Sequence, residues 1–291
     1  MAFTIFSDSG CNLPEKYLTD LDIEVIPFSY TLDGQLIQCE KSPDHFDGHA
    51  FYDKMRNRAE VKTSLLSPGA FQQAFRPVLE AGRDILYIGL SSGVSGTVHS
   101  AHLAAESLME EFPGRVVAIL DSMGAGLGEG LLACRASDLR SQGLTLAEAL
   151  PILEDERDRL CEFFTVDDLM HLKSTGRVSG VTALVGTILQ IKPLLRGDET
   201  GHIVVCGKSR GRKRAIADII ALYQKRVQHP ETQRVFISHG DCLQDAEALA
   251  EGIRQAAPPK ELIIAMHEPL TGAHVGPGML SVFFIGDSRQ P

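Results

Sequence analysis

Asp84-Ile-Leu-Tyr-Ile-Gly-Leu-Ser-Ser-Gly-Val-Ser-Gly-Thr-Val-His-Ser-Ala-His102 is the stretch that decides the fold. Ile85 to Leu90 is an apolar run of strand length, and Ser91 to Thr97 is a cluster of hydroxyl residues and glycines. Val98, Ala101, Ala104, Ala105 and Leu108 then repeat at helical spacing. Strand, hydroxyl-rich turn and helix start, in that order, are the parts of a parallel α/β unit. They aim backbone N–H groups and the positive end of a helix at one point, which suits an anion. The same serines also serve as ordinary helix caps, so this segment alone leaves ligand contact and capping both open.

The pattern repeats on either side. Upstream, residues 2–6 read as a strand, Pro14 opens a helix to Leu21, and Ile23 to Tyr30 reads as one strand. Asp33-Gly34 is a hairpin signal, Asp44 to Arg58 is expected to be helical through Gly48, and Ser67-Pro68 supply the cap and first residue of a helix to Ala81. Downstream, Val116–Leu120 is a strand that ends at Asp121-Ser122 and the glycine-rich run Gly124 to Gly130, whose small residues are read as allowing close helix packing. Helices are expected to Ser141 and over 145–160.

Beyond that point the texture changes. Phe163–Val166 is strand-like, a short helix runs from Asp167 to Lys173, and 189–195 with 202–208 form an antiparallel hairpin. A helix (212–227), strand (234–238), helix (243–256) and strand (261–267) follow, and a tight loop at Gly272–Gly278 leads to a last strand at 280–285. The expected fold class is α/β with two domains meeting near residue 155. Residues 1–155 carry a mostly parallel sheet flanked by helices, and residues 156–291 an α/β domain with a mixed or antiparallel sheet.

Composition narrows the function. The 291 residues are 44% apolar and 23% charged, the balance of a globular protein with a substantial core. The net charge of −10 opposes binding to nucleic acid or anionic membrane, so any anion site must be local. Six scattered cysteines without a C-x-x-C pair fit neither a zinc ribbon nor a disulfide framework and suit reduced thiols in the cytoplasm. Neither a signal peptide nor a run of spanning length is present, so a cytoplasmic location is expected.

Several local patterns invite chemistry. Gly89-Leu90-Ser91-Ser92-Gly93 matches the nucleophile elbow of a serine hydrolase, and Asp121 and His274 follow in the order such a triad needs. No His-Gly segment for an oxyanion hole lies upstream, so this reading is kept as the alternative, with Ser91 as its nucleophile. Gly201 to Ser209 has one residue too many for a phosphate-binding loop, and the alternating glycines of 124–130 do not fit a dinucleotide fingerprint. His99 and His102 share a helix face without a third ligand, so no metal is expected. Within the basic run 208–214, Arg210 stands beside Gly211 where strand gives way to helix, the best place there to meet an anion.

Together these pieces resemble the DegV family of bacterial fatty-acid-binding proteins, over about residues 3–287. The resemblance rests on Asp8-Ser9, Lys62-Thr63-Ser64, Ser91-Ser-Gly-Val-Ser-Gly-Thr97, Asp121-Ser122, Val166-Asp-Asp-Leu to Gly176-Arg177, Ile191-Lys-Pro193, Arg210-Gly211 and His274-Val-Gly-Pro-Gly278. One departure is that Leu65-Leu66 stand where the family often has Gln-Pro. The resemblance implies a two-domain fold that buries the carboxylate of a long-chain fatty acid between its domains. Its head-group site carries over to Thr63 and Ser95 with the Gly96 and Thr97 backbone, and to Arg177, Arg210 and His274 as surrounding polar and basic groups. It also implies a lipid-binding protein without catalytic residues, metal or cofactor. Such a protein presents the carboxylate to a separate ATP-dependent fatty acid kinase, which makes the acyl phosphate for phospholipid metabolism.

Overall fold

The computed structural model describes residues 3–179 and 191–289. In chain order its elements are β1 (Thr4–Asp8), α1 (Glu15–Asp20), β2 (Ile23–Ile26), β3 (Ser29–Leu32), β4 (Gln35–Gln38), α2 (Gly48–Arg56), β5 (Val61–Thr63), α3 (Pro68–Glu80), β6 (Ile85–Gly89), α4 (Thr97–Glu111) and β7 (Val117–Asp121). They continue with α5 (Leu127–Ser141), α6 (Leu146–Asp158), β8 (Leu160–Thr165), α7 (Leu169–Ser174), β9 (Val178–Ser179), β10 (Ile191–Gly197) and β11 (Ile203–Arg210). The last are α8 (Arg212–Arg226), β12 (Arg234–His239), α9 (Leu243–Ala256), β13 (Glu261–Met266), α10 (Pro269–Val275) and β14 (Leu280–Ile285).

Among the described residues the strands form three sheets. A parallel sheet has the order β2-β1-β6-β7, a mixed sheet the order β13-β12-β14-β8-β10-β11-β9, and a small antiparallel sheet the order β4-β3-β5. The α/β class with one parallel and one mixed sheet is as the sequence indicates. Residue 155 falls in the last turn of α6. The expected strand at 189–195 begins at Ile191, and Leu189 and Gln190 lie outside the described residues.

Three expectations change. The single strand Ile23 to Tyr30 is two strands in different sheets, parted at Pro27, which has no N–H for a ladder bond. The Phe28 N–H leaves the parallel sheet and donates to Ser9 Oγ at 3.0 Å. The tight loop at 272–278 is partly helix. Glu268 accepts from the N–H groups of Leu270 and Thr271, Pro269 takes the first position, and α10 runs through His274. The helix expected from Asp44 starts only at Gly48, with Asp47 as its cap.

Helix α5 ties the sheets together. From Leu127 to Cys134 it is buried on every side, as expected of a helix lying between two layers. Leu131 and Leu132 share one core with Ile5 and Ile88 of the parallel sheet and with Phe236 and Phe283 of the mixed sheet. Small residues are needed here, because a Cβ on Gly130 would stand 2.5 Å from the Cys11 carbonyl oxygen. The other face of the parallel sheet packs Phe6 and Tyr87 against Phe71 and Phe75 of α3.

Candidate functional site

The parallel sheet changes winding direction between β1 and β6, and the carboxyl ends of its strands are where such sheets hold ligands. The turn after β6 and the loop after β7 open there onto the mixed sheet, the β10–β11 hairpin and α10. Between them lies a cavity of about 840 Å³, mouth included, whose wall is mostly hydrocarbon from residues such as Leu90, Phe164, Leu270, Val275, Met279 and Phe283.

Strand alternation explains the wall. In the β8–β14 pair, Phe283 lies opposite Glu162 and Ser281 opposite Phe164, and all four side chains line the cavity. The intervening Cys161, Phe163, Val282 and Phe284 point the other way, into a core with Ile219 of α8 and Leu249 of α9.

A polar group gathers on another part of the wall. Thr63, at the end of β5, places Oγ1 2.9 Å from His274 Nε2 in the last turn of α10. His274 Nδ1 is buried and has no hydrogen-bond partner among the described residues. Burial, helped by the charges of Arg177 and His171, lowers the His274 pKa to about 4, so the ring is neutral near pH 7. Ser95 Oγ lies 2.9 Å from Thr97 Oγ1 and accepts from the Thr97 N–H at 3.3 Å. Arg177 follows α7, which docks on α10 through a bond from His171 Nε2 to the Ala273 carbonyl at 2.8 Å. Its guanidinium donates to the Thr175 carbonyl at 2.5 Å.

Thr63, Ser95, Arg177 and His274 therefore line one cavity. Gly96, Thr97 and Arg210 are not on its wall. Gly96 is exposed, with Leu65 packed beside it; Thr97 is fully buried under the start of α4 and touches the site only through Ser95. Arg210 is exposed at the end of β11, and its side chain has no partner among the described residues.

Ser91 has a different task. Its Oγ donates to the Gly201 carbonyl at 2.9 Å and accepts from the Gly93 N–H at 3.1 Å, fastening the β10–β11 hairpin tip to the turn after β6. The fit is close, since a Cβ on Gly201 would stand 2.1 Å from Ser91 Oγ. The Asp121 carboxylate accepts from the Ser92 and Met123 N–H groups, and His274 faces Thr63. The Ser–His–Asp relay that the hydrolase alternative requires is not assembled.

Sequence reading missed Glu162, His267, Thr271 and Ser281, which also line the cavity. His267 Nδ1 meets Ser238 Oγ and its Nε2 meets Thr271 Oγ1, both at 2.7 Å, and burial lowers its pKa to about 3. Burial pushes the Glu162 carboxyl up to about 7, against the opposing charge of Arg289. The available signal for Glu162 was one acid on the inward face of an otherwise apolar strand. On the surface, His49, Asp53 and Asp241 come within 4.8 Å of one another, but Arg56 already ion-pairs with both aspartates. No helix among the described residues is long and apolar enough to cross a membrane.

A family model described as "Uncharacterised protein, DegV family" matches residues 2–287. A DegV domain-containing protein of Clostridium perfringens is 37% identical over 293 residues, covering 99% of both chains. One from Streptococcus pyogenes is 34% identical over 290 residues, covering 100% of both. Among solved structures, a DegV family protein from Thermus thermophilus, described by its fatty acid binding, superposes with a TM-score of 0.89 at 30% identity, covering 98% of this chain and 100% of that one. A DegV lipid binding protein from Thermotoga maritima gives 0.86 at 26% identity, covering 100% of both chains. DegV of Bacillus subtilis, described as a fatty acid binding protein, gives 0.84 at 25% identity, covering 99% of this chain and 100% of that one.

Proposed function

This chain belongs to the DegV family, and on that premise we propose that it is a carrier of long-chain fatty acids. The acyl chain lies in the hydrocarbon cavity, and the carboxylate meets Thr63, Ser95 and His274, with Arg177 near the opening. The observation that carries this reading is the meeting, on one mostly apolar cavity, of hydroxyl and imidazole groups from β5, the turn before α4 and α10.

The energetics suit such a ligand. Each buried methylene contributes about 0.8 kcal/mol, so a chain of about a dozen gives roughly 10 kcal/mol before the cost of ordering the ligand. A carboxylate withdrawn from water loses several kcal/mol unless hydrogen-bonded. The Thr63 and Ser95 hydroxyls offer those bonds, and a neutral His274 holds Thr63 in place by donating from Nε2 to its oxygen. A neutral clasp holds the anion without a buried ion pair, which favours reversible release.

The division of labour we infer is that the bound carboxylate is presented to a separate ATP-dependent fatty acid kinase, which forms the acyl phosphate. Arg210, exposed and without a side-chain partner among the described residues, supports this as a group that can meet the phosphorylated head group or the kinase, and Gly96 and Thr97 shape the turn that carries Ser95. We divide the chain into units of residues 1–155 and 156–291, with the carboxylate site where they meet. Incubating the protein with palmitate, ATP and a fatty acid kinase, then trapping with hydroxylamine, should give an acyl hydroxamate that depends on this chain. No product above the chain-free control contradicts presentation, and failure to bind palmitate contradicts the carrier reading itself.

A further inference from the structure

Glu162 breaks the hydrocarbon wall of the cavity. It is 9% exposed and shares the inward face of β8 with Phe164, opposite Phe283. Its Oε1 accepts from the Ala125 N–H at 2.9 Å, while no donor among the described residues bonds to Oε2. The carboxyl occupies space cleared by three glycines. A Cβ on Gly124 or Gly128 would stand 2.5 or 2.0 Å from Oε1, and one on Gly197 would stand 3.1 Å from Oε2. Arg289 is close, but its Nε and Nη1 donate to the carbonyls of Asp198 and Arg157, and its Nη2 donates to the Met123 carbonyl at 2.5 Å.

The remaining polar side chains on this part of the wall are occupied. His267 uses both ring nitrogens on Ser238 and Thr271, Thr271 also donates to Glu268, and Ser281 Oγ donates to the Ser238 carbonyl at 3.2 Å. Glu162 Oε2 is thus an acceptor on the cavity wall to which no donor among the described residues bonds. A saturated hydrocarbon laid against it would strip its water and return no bond, whereas a hydroxyl on the chain would supply one.

We propose that Glu162 is a second polar subsite of the cavity, which recognises a hydroxyl carried on the acyl chain away from the carboxylate and makes hydroxylated fatty acids the preferred ligand class. This rests on the carrier reading above. The chain hydroxyl donates to Oε2, and Oε1 keeps its bond to Ala125. Where the carboxyl is protonated, its O–H donates to the hydroxyl oxygen, so the subsite works on both sides of its titration.

The test is displacement of a fluorescent fatty acid by stearate and by a series of monohydroxystearates with the hydroxyl moved along the chain. At least one positional isomer should bind about tenfold tighter than stearate, as expected for a buried acceptor that gains its partner. In Glu162→Leu that preference should fall below about twofold, with stearate binding kept or strengthened. Stearate matching or beating every isomer overturns the subsite, because Oε2 is then served by water or tolerates hydrocarbon. A preference that survives Glu162→Leu overturns the assignment to Glu162. If the variant does not fold, the wild-type series still decides whether the subsite exists. Binding of none of these acids overturns the carrier reading and the subsite together, an outcome distinct from tight stearate binding without discrimination.

Discussion

Thr63 Oγ1 and His274 Nε2 meet at 2.9 Å across 211 residues of sequence, joining the last residue of an edge strand to the last turn of a short helix. The contact places a hydroxyl beside a neutral imidazole on the wall of an apolar cavity. Thr63→Val keeps the branched shape and removes the oxygen. We expect fatty-acid affinity to fall about tenfold, the usual scale for a lost bond to a charged group, while the thermal midpoint drops by only a few degrees. Titration calorimetry and a melting curve separate the two. A lowered midpoint with unchanged affinity would show the pair to be structural.

Ser91 and Ser95 should part company. Ser91→Ala loses the bond to the Gly201 carbonyl and should cost about 1–2 kcal/mol of stability, leaving the affinity of the folded molecules near wild type. Ser95→Ala should do the reverse. Fatty-acid binding and urea unfolding measured on both variants check this, and the opposite pattern would return Ser91 to the site.

Glu162 should weaken the fold at high pH. Its folded pKa of about 7 is above the usual carboxylate value, so the folded state holds the proton more tightly than the unfolded one. That contribution is fully present below about pH 4.5 and is lost as the pH rises through 7. Glu162→Gln mimics the protonated acid and lacks this loss. Its stability relative to wild type should rise by roughly 3 kcal/mol between pH 4 and pH 8 in denaturant titrations. Glu268 and Asp8 are raised in the same direction, so the difference between variant and wild type carries the sign. A difference that does not change with pH would mean that Glu162 is solvated.

Gly130→Ala should destabilise by about 1–3 kcal/mol although alanine is the better helix former, because its methyl group meets the Cys11 backbone. Equilibrium unfolding checks it, and a variant as stable as wild type would show that α5 has room to shift.

What the sequence disclosed was mostly local. Asp33-Gly34 turns a hairpin with both residues at positive φ, Ser67-Pro68 starts α3, and α4 spans Thr97–Glu111 as its apolar spacing predicts. The parting of Ile23–Tyr30 between two sheets depends on partners far along the chain. The glycines of 272–278 masked the helix start that Glu268-Pro269 signals. The glycines of 124–130, read as helix packing, do that at Gly130, while Gly124 and Gly128 make room for the Glu162 carboxyl. The motifs singled out Thr63, Ser95, Arg177 and His274, and these four lie on the wall of one cavity. Glu162 was not singled out, because a single acid in a strand has no spacing signature and its outlook is set by the pairing of β8 with β14.

The most direct test is native mass spectrometry of the purified protein, with organic extraction of whatever it carries. The carrier account predicts one fatty acid per chain, released on denaturation, replaced by added palmitate and retained less well by Thr63→Val. A protein that emerges empty and takes up no acyl chain on titration would contradict it.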